Sequence, residues 1–164
     1  MDSATLKSQQ APFKEQYRTA PETAVVTLKA QGRLGDGVTC SVETGRALVA
    51  AGLHPATGGD GLSACSGDML LQALVACAGV TLNAVATALD LKVRDAQITA
   101  EGDLDFRGTL GVAKDAPVGF RDIRLRFDID GDLTAEQRAT LMKLTERYCV
   151  VYQTLRNPPP ITVG

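Results

Sequence analysis

Two thiols in this chain stand where chemistry is easiest to place. Cys77 lies in the middle of a long apolar helical pattern, Asp68 to Leu89, and Cys149 follows a second helical pattern close to the C-terminus. The chain has one histidine and no cluster with metal-ligand spacing, so two helix-borne cysteines point first to thiol redox chemistry. The working nucleophile in that chemistry is a thiolate. Cys77 stands about three turns into its helix, beyond the one-turn reach of the charge at a helix N-terminus. Apolar surroundings disfavour a thiolate, so a nearby cation must supply the balance. Arg33, in the turn-like stretch Gln31-Gly-Arg-Leu-Gly-Asp-Gly37, is one source, and Arg147, two residues before Cys149, is another.

Each of these residues also has a purely structural reading. A cysteine on an apolar helix face commonly serves as a small core residue, and Cys149 could simply pack beneath the C-terminal prolines. Cys40 alternates with Val38 and Val42 and is expected to face a core. Cys65 is a minor candidate for a second reactive thiol, because it stands just before the long helix, where backbone N–H groups favour negative charge. It lies about 18 Å along the helix axis from Cys77, too far for a bridge. His54 precedes a proline in a loop and is expected to be exposed. Arg33 reads equally as a solvated turn residue. Asp103, Asp105, Asp128, Asp130 and Asp132 alternate with core positions and read as solvated strand ends, without the spacing of a cation loop.

The elements that must position these residues follow from patterning. Residues 1–22 are polar and form an arm or a short helix. Ala24–Ala30 is a strand, Gln31–Gly37 a turn, and Val38–Glu43 the returning strand of a hairpin. Ala47–Leu53 extends that sheet, and His54–Gly61 is a loop of turn formers. A long helix runs over Ser66–Leu89. Val93–Arg107 is a strand, followed by a glycine-rich connection. Phe120–Ile129 alternates, with Ile123, Leu125, Phe127 and Ile129 on one face. Thr134 and Gln137 form a capping box for a helix that runs to about Tyr152. Asn157-Pro-Pro-Pro160 stops it, and Ile161–Val163 is a final edge strand. Strands, helix, strands, helix is an α+β order.

The 164 residues carry 17 basic and 19 acidic side chains, a net charge of −2. That size suits a single domain over residues 23–164 behind the N-terminal arm. No basic stripe with interleaved aromatics argues for nucleic acid. Met1–Ala20 lacks an apolar signal region. Gln72, Gly79, Thr81 and Asn83 interrupt the apolar run, which fits a core helix better than a membrane span. Four irregularly spaced cysteines outside any C-x-x-C motif fit a reducing cytoplasm rather than a secreted disulfide framework. The long helix is apolar on nearly every side and must be covered all round. That leads us to expect a homodimer in which a partner buries the remaining face.

The residues themselves carry a resemblance. Gly58-Gly-Asp-Gly-Leu-Ser-Ala-Cys-Ser-Gly-Asp-Met-Leu-Leu-Gln-Ala-Leu-Val-Ala-Cys77 resembles the central helix entry of the OsmC/Ohr family. Thr145-Glu-Arg-Tyr-Cys-Val-Val-Tyr-Gln-Thr-Leu155 is similar to that family's second cysteine motif. The resemblance covers residues 24–163. It implies antiparallel sheets around a long buried central helix, in an intertwined homodimer with active sites at the subunit interface. It further implies that Cys77 is the peroxidatic cysteine, oxidised by an organic hydroperoxide to a sulfenic acid. Cys149 would then resolve it as a disulfide, and Arg33 would hold the thiolate.

An apolar interface pocket, with Leu74, Val80 and Asp68 as candidate lining residues, would suit alkyl or lipid-derived peroxides. The resemblance implies regeneration by a dithiol protein, lipoyl-bearing or thioredoxin-like, and no cofactor or metal. Peroxidase members carry a glutamate ten residues before the helix cysteine, flanked by proline. This chain has Gly67 there, with Ser66 before it and Asp68 after it, and Val150 after the second cysteine where those members have proline. The chain is thus similar to the OsmC-like branch lacking that glutamate. Two functions follow: a thiol-dependent organic hydroperoxide reductase, or a non-peroxidase dimer that binds a small apolar ligand in the interface pocket. A purely structural stress-induced dimer, without a pocket, is a third.

Overall fold

A computed structural model describes residues 3–35, 39–42, 51–62 and 64–164. In chain order the elements are α1 (Ser3–Thr19), β1 (Val25–Gly35), β2 (Thr39–Val42), β3 (Ala51–Gly52), β4 (Ala64–Cys65) and α2 (Ser66–Ala88). They continue with β5 (Val93–Asp105), α3 (Phe106–Thr109), β6 (Phe120–Gly131), α4 (Ala135–Tyr148) and α5 (Val150–Arg156). One sheet has the strand order β2-β1-β5-β6, and a second contains β3 and β4. The chain gathers into two compact units, each assembled from three segments.

The first unit comprises Met1–Lys29, Thr44–Leu71 and Glu101–Arg124. Its core is aromatic: Tyr17 of α1 packs with Ala24, Phe106 and Leu110, and Phe13, Val26, Leu104 and Val112 close around them. The Tyr17 hydroxyl donates to the Ala56 carbonyl, which satisfies the one polar atom that this ring carries inward. β3 and β4 run parallel, with Ala51 opposite Ala64 and Gly52 opposite Cys65. Between them the chain turns back so tightly that a Cβ on Gly59 would stand 1.8 Å from the Leu53 carbonyl oxygen. Only glycine fits there.

The second unit comprises Ala30–Glu43, Gln72–Ala100 and Leu125–Gly164. It buries Leu74, Val75, Ala78, Leu82 and Ala86 of α2, Ala96, Ile98 and Ala100 of β5, Ile129 of β6, and Leu141 and Thr145 of α4. By length and composition alone α2 would pass as a membrane span, with a mean hydropathy of 1.8. Instead, Leu74, Val75, Ala78 and Leu82, at steps of three and four, lie on one buried helix face. The inward residues of β6, Ile123, Leu125, Phe127 and Ile129, are all buried or half-buried, as alternation requires. Both hydrogen bonds of the capping box at Thr134 are formed, at 3.2 Å and 2.9 Å.

Several elements differ from the sequence expectation. Gln31–Gly35 is strand rather than turn: Gly32 stands opposite Val42 and Gly35 opposite Thr39, because ladder pairing overrides the turn preference of the glycines. Arg33 is therefore a strand residue. Ala51–Gly52 does not extend the hairpin sheet but pairs with Ala64–Cys65, while Glu43–Ala50 lies outside the described residues. The C-terminal helix is broken at Cys149, whose backbone is extended at φ −72° and ψ 106°. The edge strand expected over Ile161–Val163 does not form, and residues 157–164 make no strand. The N-terminal stretch is a helix of 17 residues.

Candidate functional site

The second unit brings the two sequence-predicted thiols together. α2 carries Cys77, half-buried, and the junction between α4 and α5 carries Cys149, 1% exposed. Cys77 stands close enough to Cys149 to act on its thiol, and both are free thiols. Cys149 still donates its N–H to the Thr145 carbonyl at 2.9 Å, and its own carbonyl accepts from Gln153 to start α5. The residue is thus the last of one helix and the cap of the next.

Burial pushes the Cys149 thiol up to about 11, and the neighbouring Cys77 adds to the rise. The N–H groups of Tyr152 and Val151 act in the opposite direction, and burial outweighs them. At neutral pH Cys149 is therefore a protonated donor.

Neither arginine is committed to the thiols. Arg33 projects from β1, is two-thirds exposed, and pairs with Asp95 at 3.6 Å. Arg147 places its guanidinium 5.5 Å from the ring centre of Tyr148. Among the described residues, no cation is one of the groups that act on Cys149. Of the expected pocket residues, Leu74 is a core side chain and Val80 is exposed.

Asp68 belongs elsewhere. It lies in the first turn of α2, half-buried, where burial raises its carboxyl and His54 opposes the rise. Burial likewise lowers His54, with Asp68 acting against it. His54 is not the exposed loop residue expected from its position before Pro55. Its ring stacks on Phe106, with centroids 5.0 Å apart and planes at 20°. Its Nδ1 accepts from the Ala56 N–H at 3.0 Å. The His-Pro dipeptide signalled a turn, but no local pattern announces a stacking partner 52 positions away. Cys65, at the end of β4, shares a cavity with His54. Asp105 is a second correction: it is fully buried and forked by Arg107, with contacts of 2.6–3.1 Å. Cys40 lies in β2, where its side chain is outside the described residues.

The α+β order with a long apolar central helix defines the class of fold. The family described as OsmC-like protein matches residues 58–164, and the chain belongs to it. Among solved structures it is similar to an OsmC-like hydroperoxide resistance protein from Jannaschia sp. CCS1, at 17% identity and a TM-score of 0.61. The match covers 86% of this chain and 95% of that one. An OsmC-like protein from Mycoplasma pneumoniae is similar at 16% identity and a TM-score of 0.57, covering 82% and 86% of the two chains. At these identities the likeness speaks for the fold. No curated protein matches the chain.

Proposed function

We propose that the protein reduces organic hydroperoxides with Cys77 as the peroxidatic thiol and Cys149 as the resolving one. The observation that supports this most is the nearness of the two thiols, with Cys77 close enough to act on Cys149. In the first step the Cys77 thiolate attacks the outer peroxide oxygen. The O–O bond breaks, the alkoxide takes a proton and leaves as an alcohol, and Cys77 becomes a sulfenic acid. In the second, the Cys149 sulfur attacks Cys77, an S–S bond forms, and the sulfenic oxygen leaves as water with the Cys149 proton. A dithiol protein then returns both thiols. The hydroperoxide resistance neighbour accords with this reading.

Arg33 is the residue proposed to hold the thiolate. Its present partner offers little resistance, because an exposed ion pair is worth about 0–1 kcal/mol. A hydrogen bond to a charged group is worth about 1.5–3 kcal/mol, so the exchange of Asp95 for the half-buried Cys77 thiolate is favourable. Arg33→Gln should therefore slow peroxide attack by about ten- to a hundredfold.

The direct test is stopped-flow oxidation of the reduced protein by cumene hydroperoxide, beside Cys77→Ser, with disulfide mapping of the product. Fast loss of two thiols with a Cys77–Cys149 bridge, absent in the variant, is the expected result. Slow oxidation indistinguishable from Cys77→Ser would sink the proposal. The non-peroxidase, ligand-binding dimer would then be the better account, in keeping with Gly67 at the glutamate position.

A further inference from the structure

The first unit contains a cavity of ≈390 Å³ that the thiol pair does not use. Leu70, Phe106 and Phe120 give it apolar walls, and His54 and Cys65 are among its lining residues. Its volume lies within the range of small-molecule sites, which combine apolar walls with a few placed polar groups. His54 is such a group. Because Nδ1 accepts from the Ala56 N–H, the ring proton sits on Nε2. Among the described residues, Nε2 makes no hydrogen bond. Stacking on Phe106 holds the ring in place, so the donor is oriented before any ligand arrives.

We propose that this cavity binds a small uncharged molecule with an alkyl or aryl body and one oxygen acceptor, a ketone or ester, which takes a hydrogen bond from His54 Nε2. The charge of the ligand follows from the site. Burial keeps His54 in its neutral form, and Asp68 is close enough to act on it electrostatically. A carboxylate ligand would meet a neutral donor beside a like charge, whereas a carbonyl meets only the donor. The proposal does not rest on the peroxidase reading, since neither Cys77 nor Cys149 lines this cavity.

Cys65 supplies the readout, since a bound molecule covers its thiol. The experiment follows alkylation of Cys65 by N-ethylmaleimide, with peptide mass spectrometry, in the full chain with 2-decanone or decanoate. We expect 2-decanone to slow Cys65 alkylation about tenfold, saturably and equally in Cys77→Ser, and decanoate to have little effect. His54→Asn keeps an acceptor for the Ala56 N–H and removes the ring donor, so the protection should fall several-fold. Gly119→Phe adds a ring to the cavity wall where a Cβ meets nothing within 4 Å, and should abolish protection in a chain whose circular dichroism is unchanged. Calorimetric titration of 2-decanone into the wild type and Gly119→Phe reads binding directly if Cys65 alkylates slowly. Absence of both protection and heat in the wild type, or protection that survives in both variants, would overturn the site. Equal protection by decanoate would overturn the uncharged class.

Discussion

Cys149 is the residue whose environment makes the sharpest statement about pH. Its thiol is raised from an ordinary 9.0 to about 11, first by burial and then by Cys77. Between those values the unfolded chain loses this proton while the folded chain keeps it. The folded state then binds more protons, so stability falls as pH rises from about 9 through about 11. The thermal midpoint should therefore drop more steeply over that interval in the wild type than in Cys149→Ser; parallel slopes would contradict the assignment. The same burial predicts that Cys149 alkylates more slowly than Cys65 at pH 7.5, readable by mass spectrometry of the two peptides. His54 and Asp68 form a contrasting pair, in which burial moves each toward its neutral form and the partner's charge opposes it.

At the level of elements, two substitutions test how the site is held. α4 begins at a complete capping box, and Thr134→Ala removes the acceptor for the Gln137 N–H. The expected cost is about 1 kcal/mol in denaturant unfolding. Gly102 in β5 has the Phe120 ring of β6 across it, with atoms 2.5 Å and 2.6 Å from where a Cβ would be. Gly102→Ala must displace that ring, at about 1–3 kcal/mol. The capping box was legible because its residues are three positions apart and act locally. The break at Cys149 was not, since Tyr148-Cys-Val-Val contains neither proline nor glycine, and nothing local explains why the backbone extends there.

For the whole molecule, the open question is what covers α2. Met69, Leu70 and Val80 are each 38–39% exposed, a large apolar area for one helix to leave to water. We propose a homodimer that covers part of it, as the all-round apolar pattern of α2 led us to expect. Light scattering should then give about twice the chain mass of 17.3 kDa, and Val80→Asp should shift the mass toward one chain. A single-chain mass for the wild type would remove the interface from the proposed peroxidase site.

By itself the amino-acid sequence determined the α+β order, the span of α2, the cap of α4, the alternation of β6 and the family. All of these rest on periodicity or on contacts between residues a few positions apart, which a linear pattern records directly. Tertiary structure alone brought Cys77 close enough to act on the Cys149 thiol. It also placed Arg33 in a strand against Asp95 rather than on a turn, stacked His54 on Phe106, and buried Asp105 beneath Arg107. Most of these pairings join residues tens of positions apart, and even the short Asp105–Arg107 step depends on burial set by distant chain. Such contacts form only when separate elements pack, and packing energy depends on three-dimensional neighbours that the order of residues does not display.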